Sequence, residues 1–82
     1  MKKFNVYILY SDTAFKYYYG STTDLTKRIK AHNAGKVRST KSGRPWKIHY
    51  TEEYETKSEI IKREMFFKSI EGYNYLKERG IT

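Results

Sequence analysis

The chain reads as an α+β protein: a small three-stranded antiparallel sheet flanked by helices, in the order β-β-α-β-α-α. Three observations predict this. Two apolar, aromatic stretches lie close together near the start, "FNVYILY" and "YYYG". A third, "WKIHYTEEY", follows a helical segment and a loop. The remaining length carries helix starts and stops rather than strand patterns.

In "FNVYILY", β-branched and aromatic residues dominate. Period-two alternation sets Phe4, Val6, Ile8 and Tyr10 on one face, and Asn5, Tyr7 and Leu9 on the other. "SDTAFK" is a loop, and "YYYG" is near enough to pair as a hairpin. There Tyr18 and Gly20 share one face, with Tyr17 and Tyr19 on the other. "STTDL" opens a helix, with Ser21 or Thr22 as cap and Asp24 in the first turn. This helix extends to about Ala34, and Gly35 is its stop. "GKVRSTKSGRP" is a basic loop carrying Lys36, Arg38, Lys41 and Arg44 without an acid, longer than a connection requires. The third strand spans 46–54, with Trp46, Ile48 and Tyr50 expected on one face. "TKSE" at 56–59 is a capping box. Its helix continues through about Ile70, Gly72 breaks it, and "YNYLKERG" forms a short terminal helix that covers the core.

The 82 residues are read as one domain, 1–82. With no cysteine, disulfides and zinc sites of the cysteine type are excluded. No apolar run approaches the ~18 residues of a membrane span, and the first residues lack a secretory pattern. A cytoplasmic location is expected. Lys and Arg number 17 against 9 Asp and Glu, a net charge of +8, and nine residues are tyrosine. That balance suits a polyanion, since cations displace counterions from phosphates and aromatic faces stack on bases. A solvated basic surface is the plainer alternative.

Several polar residues fall on faces that should be apolar. Leu25 and Ile29 define the inner stripe of the first helix, and Arg28 and His32 sit on or beside it. Ile60, Ile61, Met65 and Phe67 define the stripe of the second, with Glu64 near its centre. An inward carboxylate is costly unless it is paired or holds a metal. An ion pair with Arg28 is one explanation. The other is a shared site of Tyr7, Tyr18, Arg28, His32 and Glu64. One carboxylate can hold one hydrated Mg²⁺, and a cation beside it can steady a phosphoryl oxygen.

These residues, in this order and spacing, resemble the GIY-YIG nuclease domain from about Phe4 to Ile70. The first triplet of that family falls on Asn5-Val6-Tyr7 and the second on Tyr18-Tyr19-Gly20. Its helical arginine falls on Arg28, a histidine found one turn later in many members on His32, and its metal-binding glutamate on Glu64. The glycine and isoleucine of the first triplet are replaced by Asn5 and Val6, and the isoleucine of the second by Tyr19. The loop and third strand look like those of small stand-alone members, which are similar to the nuclease domain of the excision-repair incision subunit. The resemblance implies a DNA endonuclease, structure-directed or nonspecific, using one Mg²⁺ or Mn²⁺ on Glu64. Arg28 would contact the scissile phosphate, and Tyr7 would act as base or position the attacking water. Tyr18 and His32 would orient that water or relay its proton. DNA, branched or damaged, is the implied partner, with a protein partner for targeting. The basic residues Lys36, Arg38, Lys41 and Arg44 would grip nucleic acid. They would do so equally well in a module that binds without cutting.

Overall fold

β1, Phe4–Ser11, is the organising strand. Val6, Tyr7, Ile8 and Leu9 are all buried. A strand covered on both faces reads as a continuous apolar run, as this one does. The computed structural model describes residues 3–82. β2, Lys16–Thr22, and β3, Trp46–Tyr54, pair antiparallel with opposite sides of β1, giving the strand order β2-β1-β3. The helices are α1, Leu25–Asn33, α2, Lys57–Phe67, and α3, Ile70–Glu78. The predicted element order is therefore present. The basic connection from α1 to β3 is not an open loop, since Arg38–Gly43 winds into a 3-10 helix.

Register decides what each sheet face sees, because paired residues on antiparallel strands share a face. Val6 stands opposite Ser21, and Ile8 lies between Tyr19 and Tyr50. On this face α2 and α3 pack, closing a core of Val6, Ile8, Ile60, Phe67 and Leu76. Tyr17, Tyr19 and Tyr50 pad its margin. Tyr7 stands opposite Gly20, and Leu9 lies between Tyr18 and Ile48. α1 and the 3-10 helix cover this second face.

Two expectations about faces need correction. Tyr50 pairs with Ile8 while Ile48 pairs with Leu9, so His49 is an extra residue at a bulge. The bulge shifts the alternation by one. Trp46 and Ile48 therefore turn towards the α1 side, and Tyr50 turns towards α2. On α2, Ile61 and Met65 are 45% and 67% exposed rather than inward. Arg63 takes their place. It makes two hydrogen bonds to Glu52, at 2.8 and 3.1 Å, and lies over the rings of Phe66, Phe67 and Tyr75. Glu52 also accepts from Tyr50 and Tyr54. A carboxylate on the packed side of the sheet thus requires a cation where simple periodicity expects an aliphatic residue.

Helix ends also differ in detail. Ser21 and Thr22 remain in β2, and the cap of α1 is Asp24, which accepts from the Lys27 amide at 3.0 Å. The capping box of Thr56 and Glu59 opens α2 as expected. α2 stops at Phe67 instead of Ile70, because Ser69 caps a new helix and accepts from the Gly72 amide at 3.1 Å. Gly72 is thus inside α3, where a Cβ would collide with the Phe66 carbonyl. It permits a tight approach between helices rather than breaking one.

Candidate functional site

The α1-side face of the sheet is built around polar side chains. Tyr7 rises from the centre of β1 directly opposite Gly20, and a Cβ at position 20 would overlap its phenol ring. The missing side chain is what lets the ring lie over β2. From α1, His32 is the buried residue, at 0% exposure, while its apolar neighbours Leu25 and Ile29 are only half-buried. The His32 Nε2 atom lies 2.9 Å from the Tyr7 hydroxyl. Its Nδ1 lies 2.8 Å from the hydroxyl of Thr40, on the 3-10 helix. Arg28, one turn earlier, donates from Nε to the Tyr7 oxygen at 3.4 Å. Tyr18 stands edge-on to both rings, its centroid 6.4 Å from Tyr7 and 5.0 Å from His32. A groove of about 420 Å³ runs past Arg28, lined by Thr22, Thr23, Asp24, Lys27 and Ala31.

Glu64 arrives from the other side of the sheet. It is half-buried on α2, and its Oε1 accepts from the Ser21 hydroxyl at 2.7 Å. Ser21 stands on the α2-facing side of β2, next to Gly20. The expected ion pair with Arg28 is not its contact. Lys68 pairs with Oε2 instead, at 2.9 Å. The grouping therefore straddles the sheet edge: Tyr7, Tyr18, Arg28 and His32 on one side of β2, Glu64 on the other.

The electrostatics oppose a free phenolate. Burial, the largest influence, holds the Tyr7 phenol above its ordinary value of 10.0. The hydrogen bond and charge of Arg28 lower it by less, and Tyr18 and Glu64 raise it further. His32 is shifted down, first by burial and then by the charge of Arg28, so the imidazole rests neutral. Arg28 is held charged, above all by its hydrogen bond to Tyr7.

Among the described residues no group of three or more His, Cys, Asp and Glu side chains could enclose an ion. A half-exposed carboxylate such as that of Glu64 fits a hydrated Mg²⁺ or Mn²⁺ that takes its remaining ligands from water and a phosphate. It does not form a preassembled cage, and Lys68 competes for one of its oxygens.

The basic residues Lys36, Arg38, Lys41 and Arg44 are all exposed on the segment after α1. Arg44 is less free than its neighbours, because its Nε donates to the Lys41 carbonyl at 2.9 Å and its guanidinium packs on Gly35. The segment is tied at both ends. Asn33 accepts from the Trp46 amide at 2.6 Å and donates to its carbonyl at 3.0 Å. The Trp46 indole donates to the Thr40 carbonyl at 2.7 Å. Thr40 and Ser21 are two site residues that pattern reading missed. Ser21 looks like a helix cap, and Thr40 lies in a segment whose signals, its length and its basic charge, say nothing of a buried hydroxyl.

The chain resembles known proteins over most of its length. Residues 3–75 match the family model described as the GIY-YIG catalytic domain. A UPF0213 protein of Listeria welshimeri is 46% identical over 67 residues, covering 77% of this chain and 74% of that protein. A UPF0213 protein of Halobacterium salinarum is 38% identical over 55 residues, covering 66% of this chain and 71% of the relative. The solution NMR structure of a UPF0213 protein from Bacillus halodurans superposes with a TM-score of 0.56 at 30% identity, covering 93% of this chain and 83% of that one. With its paired triplets on adjacent strands, and matching from the start of the sheet into α3, this chain belongs to the GIY-YIG catalytic domain family.

Proposed function

We propose that the β2 edge binds the phosphodiester backbone of DNA, and that its finer activity is hydrolysis of that backbone with one divalent cation. The observation that carries the reading is the hydrogen-bonded set of Arg28, Tyr7 and His32 beside an open groove, with Glu64 around the strand edge. A permanently charged guanidinium at the groove wall suits a phosphate oxygen. The attacking water would lose its proton to the Tyr7 oxygen as the Tyr7 proton passes to His32 Nε2. Such a relay avoids a resting phenolate, which burial disfavours. Tyr18 supports the edges of both rings and limits how they turn. A divalent ion on Glu64, when bound, would supply Lewis-acid polarisation of the phosphoryl group.

Binding without hydrolysis is the second reading, and a specific observation favours it. The carboxylate that would hold the ion, Glu64, is already engaged by Ser21 and Lys68. In that case the exposed cations after α1 and the tyrosines hold nucleic acid, and no bond is cut.

The deciding experiment incubates the protein with supercoiled plasmid, single-stranded and branched DNA, in Mg²⁺, Mn²⁺ or EDTA, beside Glu64→Gln. Metal-dependent nicking that falls more than ~100-fold in Glu64→Gln supports hydrolysis, as for loss of a charge-stabilising group. Equal cutting by both proteins overturns the assignment of Glu64. Retained DNA binding with no cutting in any metal selects the second reading.

A further inference from the structure

We infer that Thr40 is a positioning residue that fixes the tautomer of His32, keeping Nδ1 protonated and leaving Nε2 free to take the Tyr7 proton. The inference deepens the hydrolytic reading above, but its geometry can be tested apart from it.

The argument is a count of protons in a closed space. Thr40 and His32 are both fully buried, so solvent does not complete their hydrogen bonding. The Thr40 hydroxyl has one proton and two neighbours: the Val37 carbonyl at 3.2 Å and His32 Nδ1 at 2.8 Å. The carbonyl can only accept. If the hydroxyl donates to Val37, its lone pair must receive a proton from Nδ1. Nε2 is then bare and accepts from the Tyr7 hydroxyl, 2.9 Å away. Every donor in the chain Tyr7–His32–Thr40–Val37 has an acceptor. The reverse orientation fails this test. With the proton on Nε2, the Tyr7 oxygen would receive from both His32 and Arg28. Its own proton would then have no acceptor among the described residues and would depend on solvent, whereas the first orientation is complete within the protein.

The choice of a hydroxyl rather than a carboxylate matters. A carboxylate on Nδ1 would also orient the ring, but its charge would favour the imidazolium. Thr40 orients the ring while the imidazole stays neutral and ready to accept. When His32 takes the Tyr7 proton, the Nδ1 proton does not have to move, because Thr40 can keep accepting it. Thr40 is itself held by its backbone: its amide donates to Val37 at 3.1 Å, and its carbonyl accepts from Trp46.

The test is nitrogen-15 NMR of His32 in the intact chain, for the natural protein, Thr40→Ser and Thr40→Val. The expected result is a pyridine-type Nε2 and a proton-bearing Nδ1 in the natural protein and in Thr40→Ser. In Thr40→Val that preference should shift towards the Nε2-protonated form. Cleavage by Thr40→Val, where cleavage is found, should fall about tenfold or more, as when a buried orienting partner is removed, with rescue by serine. An Nε2-protonated ring in the natural protein overturns the inference, even if Thr40→Val fails to fold. So does an unchanged tautomer in a folded Thr40→Val. A natural protein that cuts no DNA, yet shows the Nδ1-protonated ring that valine abolishes, upholds Thr40 and overturns hydrolysis alone.

Discussion

At Gly20 the absence of a side chain does more for the site than most of the side chains present. Tyr7 occupies the volume a Cβ would need. Gly20→Ala should therefore displace the phenol from His32 and cost about 1–3 kcal/mol through overpacking, measured by denaturant unfolding. A fully stable Gly20→Ala would show that the ring has room to yield. His32 gives a pH prediction. Its folded pKa lies below the ordinary 6.5, so the unfolded chain binds more protons in that range. Stability should fall as pH drops from about 7 towards the depressed value, then cease to change on this account. The groups facing the ring are Tyr7, Tyr18, Arg28 and Thr40, none of them a carboxylate that would reverse the sign. A His32→Asn variant should lose that slope in urea titrations across the same window. The sequence made Tyr7, Arg28 and His32 visible because polar residues stood on apolar faces. It hid Thr40 because a threonine in a loop has no period to violate.

Among the elements, the segment between α1 and β3 is where pattern reading was least informative. Its basic composition was plain, whereas its 3-10 winding depends on contacts with Trp46 and His32, remote from local propensity. The bulge at His49 was hidden for a similar reason: apolar and polar residues alternate without a break from Trp46 to Thr51, and only the partner strand reveals the extra residue. Central β1 and the capping box of α2 were legible because their signals are local. The structure separates the four cations of the segment. Lys36, Arg38 and Lys41 point into solvent, and Arg44 is tied back. Neutralising the first three to glutamine should therefore weaken DNA binding across all sequences. It should also flatten the slope of log affinity against log salt, by about 0.9 for each phosphate left without its cation. Arg44→Gln should change that slope less and stability more. Equal salt slopes for the triple variant and the natural protein would remove this segment from the interface.

Across the whole molecule, the two sheet faces are separate cores with different chemistries. The α2 side rests on apolar packing around Phe67 and on the Glu52–Arg63 pair. Phe67→Ala should cost about 3–5 kcal/mol by thermal or denaturant unfolding, since it empties the centre of that core. Glu52 is held below its ordinary pKa despite burial, because Arg63, Tyr50 and Tyr54 donate to it. A depressed carboxyl stabilises the fold above its unfolded pKa and loses that contribution as pH falls through the folded one. Acid should therefore attack the α1 side first, through His32, and the α2 side later, as pH falls from the ordinary carboxylate value through the depressed one of Glu52. In Glu52→Gln the second acid transition should shrink, with the first unchanged. The Asn33–Trp46 clamp carries one more consequence. It makes residues 34–45 resemble a cassette pinched at its base, free to be exchanged for loops of other charge. Thr40 forbids that exchange. The stretch that would grip a backbone also sets the proton on His32, so a graft that tightened DNA binding would retune the acid–base centre with it.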